Sequence, residues 1–346
     1  MALTKVAVVG GGSFGTVVAN IAASNGHPVS FWMRSEALAE TINRDHINRS
    51  YLPDYVIDKR VVATSSMADA VAGAELIFVA VPSSSFRSVV GELVKTADPS
   101  ACLVSTTKGI EAGSFLLMSE VLRELAPYAS IGVLSGPNLA KEIAAQQLTG
   151  TVIASDVAAV REAVQSVLKS RYFRVYTNND MFGVELGGSL KNIYAIIAGM
   201  AAALGMGHNT NSMLVTRGLT EMARFGRELG ADPMTFLGLS GVGDLVVTCS
   251  SPLSRNYRFG FALGRGESVA VAMAEIGQVV EGVNTVKLVK ERADELGVYM
   301  PLASGLYSAI FDAASIESIV SSLMLGEQAL DVEFAAAHTK QADSPT

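Results

Sequence analysis

Four groups in the chain have types and settings that suit chemistry. Lys191 is the single lysine of a long apolar stretch, Val184–Gly205 (VELGGSLKNIYAIIAGMAAALG). Asp244 is the one acid of a glycine-rich loop, Gly241-Val242-Gly243-Asp244-Leu245, with Thr248 one turn beyond it. Arg255 stands between Ser254 and Asn256 at a predicted helix start, and Lys108 follows an apolar run in Thr107-Lys108-Gly109. An ammonium group in an apolar setting has its pKa lowered toward the range of a general acid or base. An arginine fork beside a hydroxyl, an amide and free helix-start N–H groups suits a phosphate. Each group also has a plainer reading. Asp244 alone suits a helix N-cap, Ser254-Arg255-Asn256 a capped helix, and Lys191 a lysine paired with a carboxylate or snorkelling outward.

The stretch around Lys191 must position the ammonium. It is apolar on almost every side, which predicts a core helix. Glu185, Ser189, Lys191 and Asn192 interrupt it, so it is a poor membrane span. Helical side chains lean toward the N-terminus, so Lys191 is expected to reach over Gly187 and Gly188. Two interior glycines cost about 1 kcal/mol each relative to Ala. The expected return is free volume beside the ammonium, enough for a ligand.

The other end of the site comes from the N-terminal half. Lys5–Val9 (KVAVV) reads as a buried strand, and Thr16–Ser24 as a helix. Between them Gly10, Gly12 and Gly15 form G-x-G-x-x-G in strand–turn–helix context. Gly10 allows the tight turn, Gly12 admits a pyrophosphate to the backbone, and Gly15 lets helix and strand pack closely. This is a dinucleotide-binding turn. The second strand, Pro28–Met33, ends without the acid that grips a ribose 2′-hydroxyl. Arg34 and Ser35 follow instead, and Arg34 suits the 2′-phosphate of NADPH, leaving both NADH and NADPH open.

Further along, Thr41–Arg60 reads as a helix end and a surface loop. Val61–Val62, Glu75–Val81, Leu103–Thr106, Ser130–Leu134, Gly150–Ala154 and Arg174–Tyr176 read as strands, and Met67–Ala72, a segment opening at Ser83–Phe86, and Leu139–Ala145 as helices. Leu103–Thr106 delivers Lys108 to the carboxyl end of the sheet, where ligands bind in open α/β folds. The turn Ser135-Gly136-Pro137-Asn138 offers backbone N–H groups at the same end. Asn178-Asn179-Asp180 caps the central helix. Beyond Met181 only helical patterns remain: Val215–Leu229, Val269–Ala274, Val283–Leu296, Ala303–Phe311 and Ser315–Leu325. The expectation is therefore an α/β Rossmann-type dinucleotide-binding domain with a mostly parallel sheet over residues 1–180. An all-α substrate-binding domain follows over residues 181–346, with a frayed end at Ala335–Thr346.

Composition narrows the class. Hydrophobic residues make up 49% and charged residues 17% of 346, which is a folded globular chain large enough for two cores. The net charge of −7 gives no general attraction for nucleic acid or anionic membrane. The two cysteines, Cys102 and Cys249, form no disulfide framework or metal pattern, which fits a reducing cytoplasm. The four histidines stand in no motif spacing and are read as non-catalytic.

The segments GGGSFGT, STTKGI, SGPNLAKE, ELGGSLKNIYAI, GVGDLVVT, SRN and VVEGVNT occur in an order that resembles the soluble NAD(P)-dependent glycerol-3-phosphate dehydrogenases, from about Lys5 to Leu325. The resemblance implies hydride transfer between sn-glycerol 3-phosphate and dihydroxyacetone phosphate, supplying glycerol 3-phosphate for phospholipid synthesis. It implies Lys191 as general acid/base, with Lys108 and Asp244 beside the reacting oxygen. Gly136, Asn138, Asn192, Thr248, Ser254, Arg255 and Asn256 would hold the substrate. Ser13, Phe14, Arg34, Lys108, Ala140, Arg255, Val279 and Glu281 would meet NAD or NADP. Asn138 departs from the family's usual Ser or Thr, and Phe14 from its frequent Trp. A homodimer is expected only as the general prior for soluble enzymes. Rival readings are a hydroxyacid or 6-phosphogluconate type of dehydrogenase, a nucleotide-sugar dehydrogenase with Cys249 as nucleophile, and a redox-sensing binding module. The SRN and GVGD segments favour the small phosphate ester.

Overall fold

Strand β1 (Val6–Val9) opens the computed structural model, which describes residues 4–325. All four of its side chains are buried, as a strand covered on both faces by helices requires. Helix α1 (Ser13–Ser24), β2 (Val29–Trp32) and α2 (Glu36–Asp45) follow. An antiparallel pair, β3 (Ile47–Asn48) and β4 (Leu52–Val56), precedes β5 (Val61–Thr64). Next come α3 (Met67–Val71), β6 (Leu76–Val79), α4 (Ser83–Leu93) and β7 (Cys102–Ser105). The alternation ends with α5 (Met118–Leu125), β8 (Ile131–Ser135), α6 (Ala140–Ala144), β9 (Thr149–Ala154), α7 (Ala158–Leu168) and β10 (Phe173–Asn178).

Eight strands form one sheet in the order β10-β9-β8-β7-β6-β1-β2-β5. Its neighbours pair in parallel except β8 with β9. The mostly parallel Rossmann-type sheet is as expected. The strand order reverses between β1 and β6, so the crevice at their carboxyl ends is flanked by the starts of α1 and α4.

The helical domain is built around α8 (Met181–Ala203), whose N-cap Asp180 accepts from Gly183 N at 2.8 Å. Helix α9 (His208–Glu228), a 3-10 turn (Pro233–Leu237) and a π-helical turn (Leu239–Gly243) lead to α10 (Asp244–Ser250). Then come α11 (Arg255–Gly264), α12 (Val269–Ile276), α13 (Glu281–Leu296), α14 (Pro301–Phe311) and α15 (Ile316–Leu325). Helix α8 is buried along nearly its whole length and packs against α9, α10, α11, α13 and α14. Its crossing with α11 is set by two glycines. A Cβ on Gly199 would overlap the Tyr257 carbonyl, and one on Gly260 the Ile196 carbonyl. That close approach fixes the Ser254-Arg255-Asn256 start against the helix carrying Lys191.

Several expectations are corrected. Thr41–Arg60 is not a plain loop: β3 and β4 lie within it. Its polar sequence hides a hairpin whose Asn48 braces the glycine turn, donating to Gly11 O at 2.9 Å and Thr16 Oγ1 at 2.8 Å. Helices α5 and α7 are additional to the expected elements, and α9 starts at His208 rather than Val215, because the polar turns before Val215 carry little apolar periodicity. The segment Ala335–Thr346 and His338 lie outside the described residues.

Glu221 fastens the far end of this bundle. Its buried carboxyl accepts from Leu302 N at 2.7 Å, Ala303 N at 3.2 Å and the Tyr194 hydroxyl at 3.1 Å, joining α9, α14 and α8. Burial pushes its pKa up to about 7. Glu221→Ala leaves two helix-start N–H groups and a buried phenol without partners. The expected cost is about 2–4 kcal/mol, read as a lower denaturant midpoint. A midpoint unchanged from the parent contradicts this account.

Candidate active site

Two ammonium groups meet on one carboxylate where the sheet and helical domains face each other. Lys191 Nζ donates to Asp244 Oδ1 at 2.5 Å and to Thr248 Oγ1 at 2.7 Å. Lys108 Nζ forms an ion pair with Asp244 Oδ2 and donates to Gly136 O at 2.9 Å. Lys108 arrives from the carboxyl end of β7, Gly136 from that of β8, Lys191 from α8, and Asp244 and Thr248 from α10. Asp244 is fully buried and Lys191 7% exposed, so neither charge is hydrated and each needs the other. An ammonium has three donors. Two of those on Lys191 have partners among the described residues, which leaves one for a ligand oxygen.

Burial is the largest influence on Lys191, lowering its pKa to about 8; Asp244 opposes the shift and Lys108 adds to it. Both protonation states are therefore accessible near neutrality, as a proton donor and acceptor requires. The carboxylate-paired reading of Lys191 and the acid/base reading describe the same geometry.

Asp244 is not the N-cap its sequence suggested. Gly243 takes that position, and Asp244 opens α10 with its carboxylate turned onto the lysines. The π-helical turn before it re-aims the chain, a distortion frequent at functional sites. The expected free volume over the α8 glycines is also absent. A Cβ on Gly188 would sit 2.5 Å from Ser135 Oγ and 3.5 Å from Lys108 Cγ, and one on Gly187 2.9 Å from the Ser240 carbonyl. The two glycines admit neighbouring chain, including the stem of Lys108, rather than a ligand.

The Ser254-Arg255-Asn256 segment lies beside this cluster. Ser254 caps α11, accepting from Tyr257 N at 3.2 Å. Exposed Arg255 donates to Gln278 Oε1 at 3.3 Å. Buried Asn256 donates to Asn192 Oδ1 at 2.9 Å and accepts from Gly282 N at 3.0 Å. Asn192, the neighbour of Lys191, is thus tied to the α11 start. Asn138 is engaged elsewhere, accepting from Thr151 Oγ1 at 2.8 Å and donating to Gly150 O at 3.4 Å. Its amide braces β9 in this structure.

The glycine turn fits a dinucleotide pyrophosphate. Gly10 has φ +131°, and a Cβ there would overlap the Ala80 carbonyl; one on Gly15 would overlap Gly10 O. A Cβ on Gly12 would meet nothing within 4 Å, so the backbone is open at the N-terminus of α1, which no side chain caps. Ser13 and Phe14 begin α1, exposed Arg34 follows β2, and Ala140 begins α6. Half-exposed Val279 and Glu281 stand at the start of α13. Glu281 reaches the sheet domain, accepting from Ser83 N at 3.1 Å and Ser83 Oγ at 2.6 Å. In sequence Ser83 reads only as a helix start; its partner 198 residues away leaves no local signal.

Other chemistries find little support. Cys249 is buried and its thiol is pushed up to about 12, which makes it a poor nucleophile. Among the described residues no cluster suits a metal ion, and no helix is long and apolar enough to cross a membrane.

The N-terminal part of the chain, residues 5–160, matches the family described as NAD-dependent glycerol-3-phosphate dehydrogenase N-terminus, and residues 180–321 match the corresponding C-terminus. A glycerol-3-phosphate dehydrogenase [NAD(P)+] of Azotobacter vinelandii is 54% identical over 334 residues, covering 96% of this chain and 98% of its own. The protein of the same name from Ectopseudomonas mendocina is 55% identical over 332 residues, covering 96% and 97%. Among solved structures, the glycerol-3-phosphate dehydrogenase of Coxiella burnetii superposes with a TM-score of 0.89 at 34% identity, over 94% of this chain and 99% of that one.

Proposed function

The chain belongs to the NAD-dependent glycerol-3-phosphate dehydrogenase family, and from that premise we propose how its residues interconvert sn-glycerol 3-phosphate and dihydroxyacetone phosphate with NAD(P)H. The sheet domain, to about residue 180, holds the dinucleotide, and the helical domain holds the phosphate ester. Gly10, Gly12, Gly15, Ser13 and Phe14 receive the pyrophosphate side, and Arg34 lies by the adenosine ribose. Lys108, Ala140, Arg255, Val279 and Glu281 border the rest of the crevice. Bound there, the reduced nicotinamide supplies a hydride to the carbonyl carbon.

Lys191 donates a proton to the oxygen that becomes the alcohol, and takes it back in the oxidising direction. Asp244 holds Lys191 and Lys108 at one point, and Lys108 presents a second positive charge to the developing oxyanion. Arg255, with Ser254 and Asn256 at the start of α11, binds the phosphate. Thr248, Asn192, Gly136 and Asn138 shape the cavity around the three-carbon chain. Anchoring the phosphate orients the carbonyl, so remote binding lowers the barrier at the reacting atom.

The observation that carries this reading is the buried Lys191–Asp244–Lys108 cluster at the carboxyl end of the sheet. It is tested by initial rates with dihydroxyacetone phosphate and each reduced coenzyme in turn. Oxidation of NADH or NADPH is expected, and its absence with both overturns the assignment. Arg255→Ala is expected to raise KM for dihydroxyacetone phosphate by roughly 10–100-fold, the loss of a charge-assisted bond. An effect confined to the coenzyme KM removes Arg255 from the phosphate site.

The reaction yields glycerol 3-phosphate, a phospholipid precursor, which places the enzyme in lipid biosynthesis. Two free cysteines accord with a cytoplasmic setting. A two-fold homodimer is the assembly proposed, on the general prevalence of that symmetry.

A further inference from the structure

We propose that Ser83 is a positioning residue that couples the dinucleotide crevice to the phosphate site. The inference rests on the reading of those two sites given above. Ser83 is the first residue of α4, at the carboxyl end of β6 beside the crevice, and is 6% exposed. Its N–H and hydroxyl both donate to the carboxylate of Glu281, the first residue of α13 in the other domain. The next residue, Gly282, donates from N to Asn256 Oδ1 at 3.0 Å. Asn256 Nδ2 donates to Asn192 Oδ1 at 2.9 Å, and Asn192 adjoins Lys191. The result is a continuous hydrogen-bonded path from the α4 start, through the phosphate-binding segment, to the helix of the proton donor.

The path has no slack at its joints. A Cβ on Gly282 would lie 2.8 Å from both Asn192 O and Asn256 Oδ1, so the start of α13 is pressed onto α8. A Cβ on Gly109 would lie 2.8 Å from Ser83 Oγ and 3.0 Å from Glu281 Oε2, so the residue after Lys108 is pressed onto the same contact. Ser189 Oγ on α8 donates to Gly109 O at 3.3 Å. A shift of α4 against α13 must therefore move Lys108, Asn256 and Asn192 together. Each ligand selects the register the other needs. Ser83 supplies the side-chain hydrogen bond that Glu281 accepts, Arg255 acts on the same carboxylate through its charge, and Ser83 hydrogen-bonds to neither lysine among the described residues.

The test is a linkage measurement. NADPH and glycerol 3-phosphate cannot react with each other, so the affinity of NADPH is measured by its fluorescence with and without saturating glycerol 3-phosphate. In the parent, glycerol 3-phosphate is expected to tighten NADPH binding by roughly fivefold or more. In Ser83→Ala each ligand alone still binds within about threefold of the parent, while the ratio falls to within about twofold of one. Ser88→Ala removes a local bond to Ser85 O on the same helix and keeps the parent ratio. Failure of the parent to bind either ligand alone overturns the functional reading and this inference with it. Binding without coupling in the parent, or coupling that survives Ser83→Ala, overturns the role of Ser83 alone.

Discussion

Lys191→Ala is expected to lower kcat for dihydroxyacetone phosphate reduction by about 10²–10⁴-fold, the usual contribution of a positioned general acid. Reduced coenzyme binding survives, because the Lys191 ammonium is spent on Asp244 and Thr248 of the helical domain and not on the glycine turn at Gly10–Gly15. Folding survives as well. Asp244 keeps its ion pair with Lys108 and its Thr248 contact, so no buried carboxylate is left alone. Lys191→Arg separates charge from proton transfer. It keeps a cation at the site, but a guanidinium does not give up its proton near neutrality. A comparable kcat loss in both variants, measured by stopped-flow loss of nicotinamide absorbance, supports proton donation. Near-parent turnover in Lys191→Ala removes Lys191 from the chemistry. The pH dependence carries the same sign test. With a Lys191 pKa of about 8, reduction needs the protonated form and slows as pH rises through that value. Oxidation needs the neutral form and speeds up over the same interval.

The local part of this architecture was legible because local physics writes it. Gly10, Gly12 and Gly15 occur where a strand must turn into a helix around a ligand, and the apolar runs at Val6–Val9 and Leu76–Val79 have no polar face, as fully buried strands must. The all-round apolar α8 with one lysine announced a buried charge. What remained hidden depends on partners distant in sequence. Asp244 has the sequence setting of an N-cap, and only the arrival of Lys108 and Lys191 from other elements turns its carboxylate inward. Gly187 and Gly188 suggest space for a ligand, but what fills it is neighbouring chain, and spacing along one helix cannot say which chain. The β3–β4 hairpin fails to show as strand because it is short and breaks the usual alternation: Val56 is exposed while the polar Asn48 is fully buried. Ser83 and Glu281 look like ordinary helix starts until the domains are brought together.

Asp244→Asn tests whether the carboxylate sets the working pH of the site. In the parent it neutralises two ammonium groups in a dry setting, and Lys191 sits at about 8 because burial and Lys108 outweigh its pull. Asparagine keeps the size and one acceptor but removes the charge. Two cations then face each other without a counter-ion, an arrangement that costs about 3–5 kcal/mol where a buried pair is broken. Loss of a proton from Lys191 relieves it. The acid form therefore becomes scarce at neutral pH, and reductive kcat at pH 7.5 is expected to fall by roughly 10-fold to 100-fold. The descending limb of the reductive profile moves roughly one to two units to lower pH. Part of the lost rate returns on acidification. A purely structural defect lowers the rate at every pH and leaves the limb in place. A variant profile that overlays the parent after scaling therefore assigns Asp244 to folding, and a limb displaced to higher pH contradicts the electrostatic account outright.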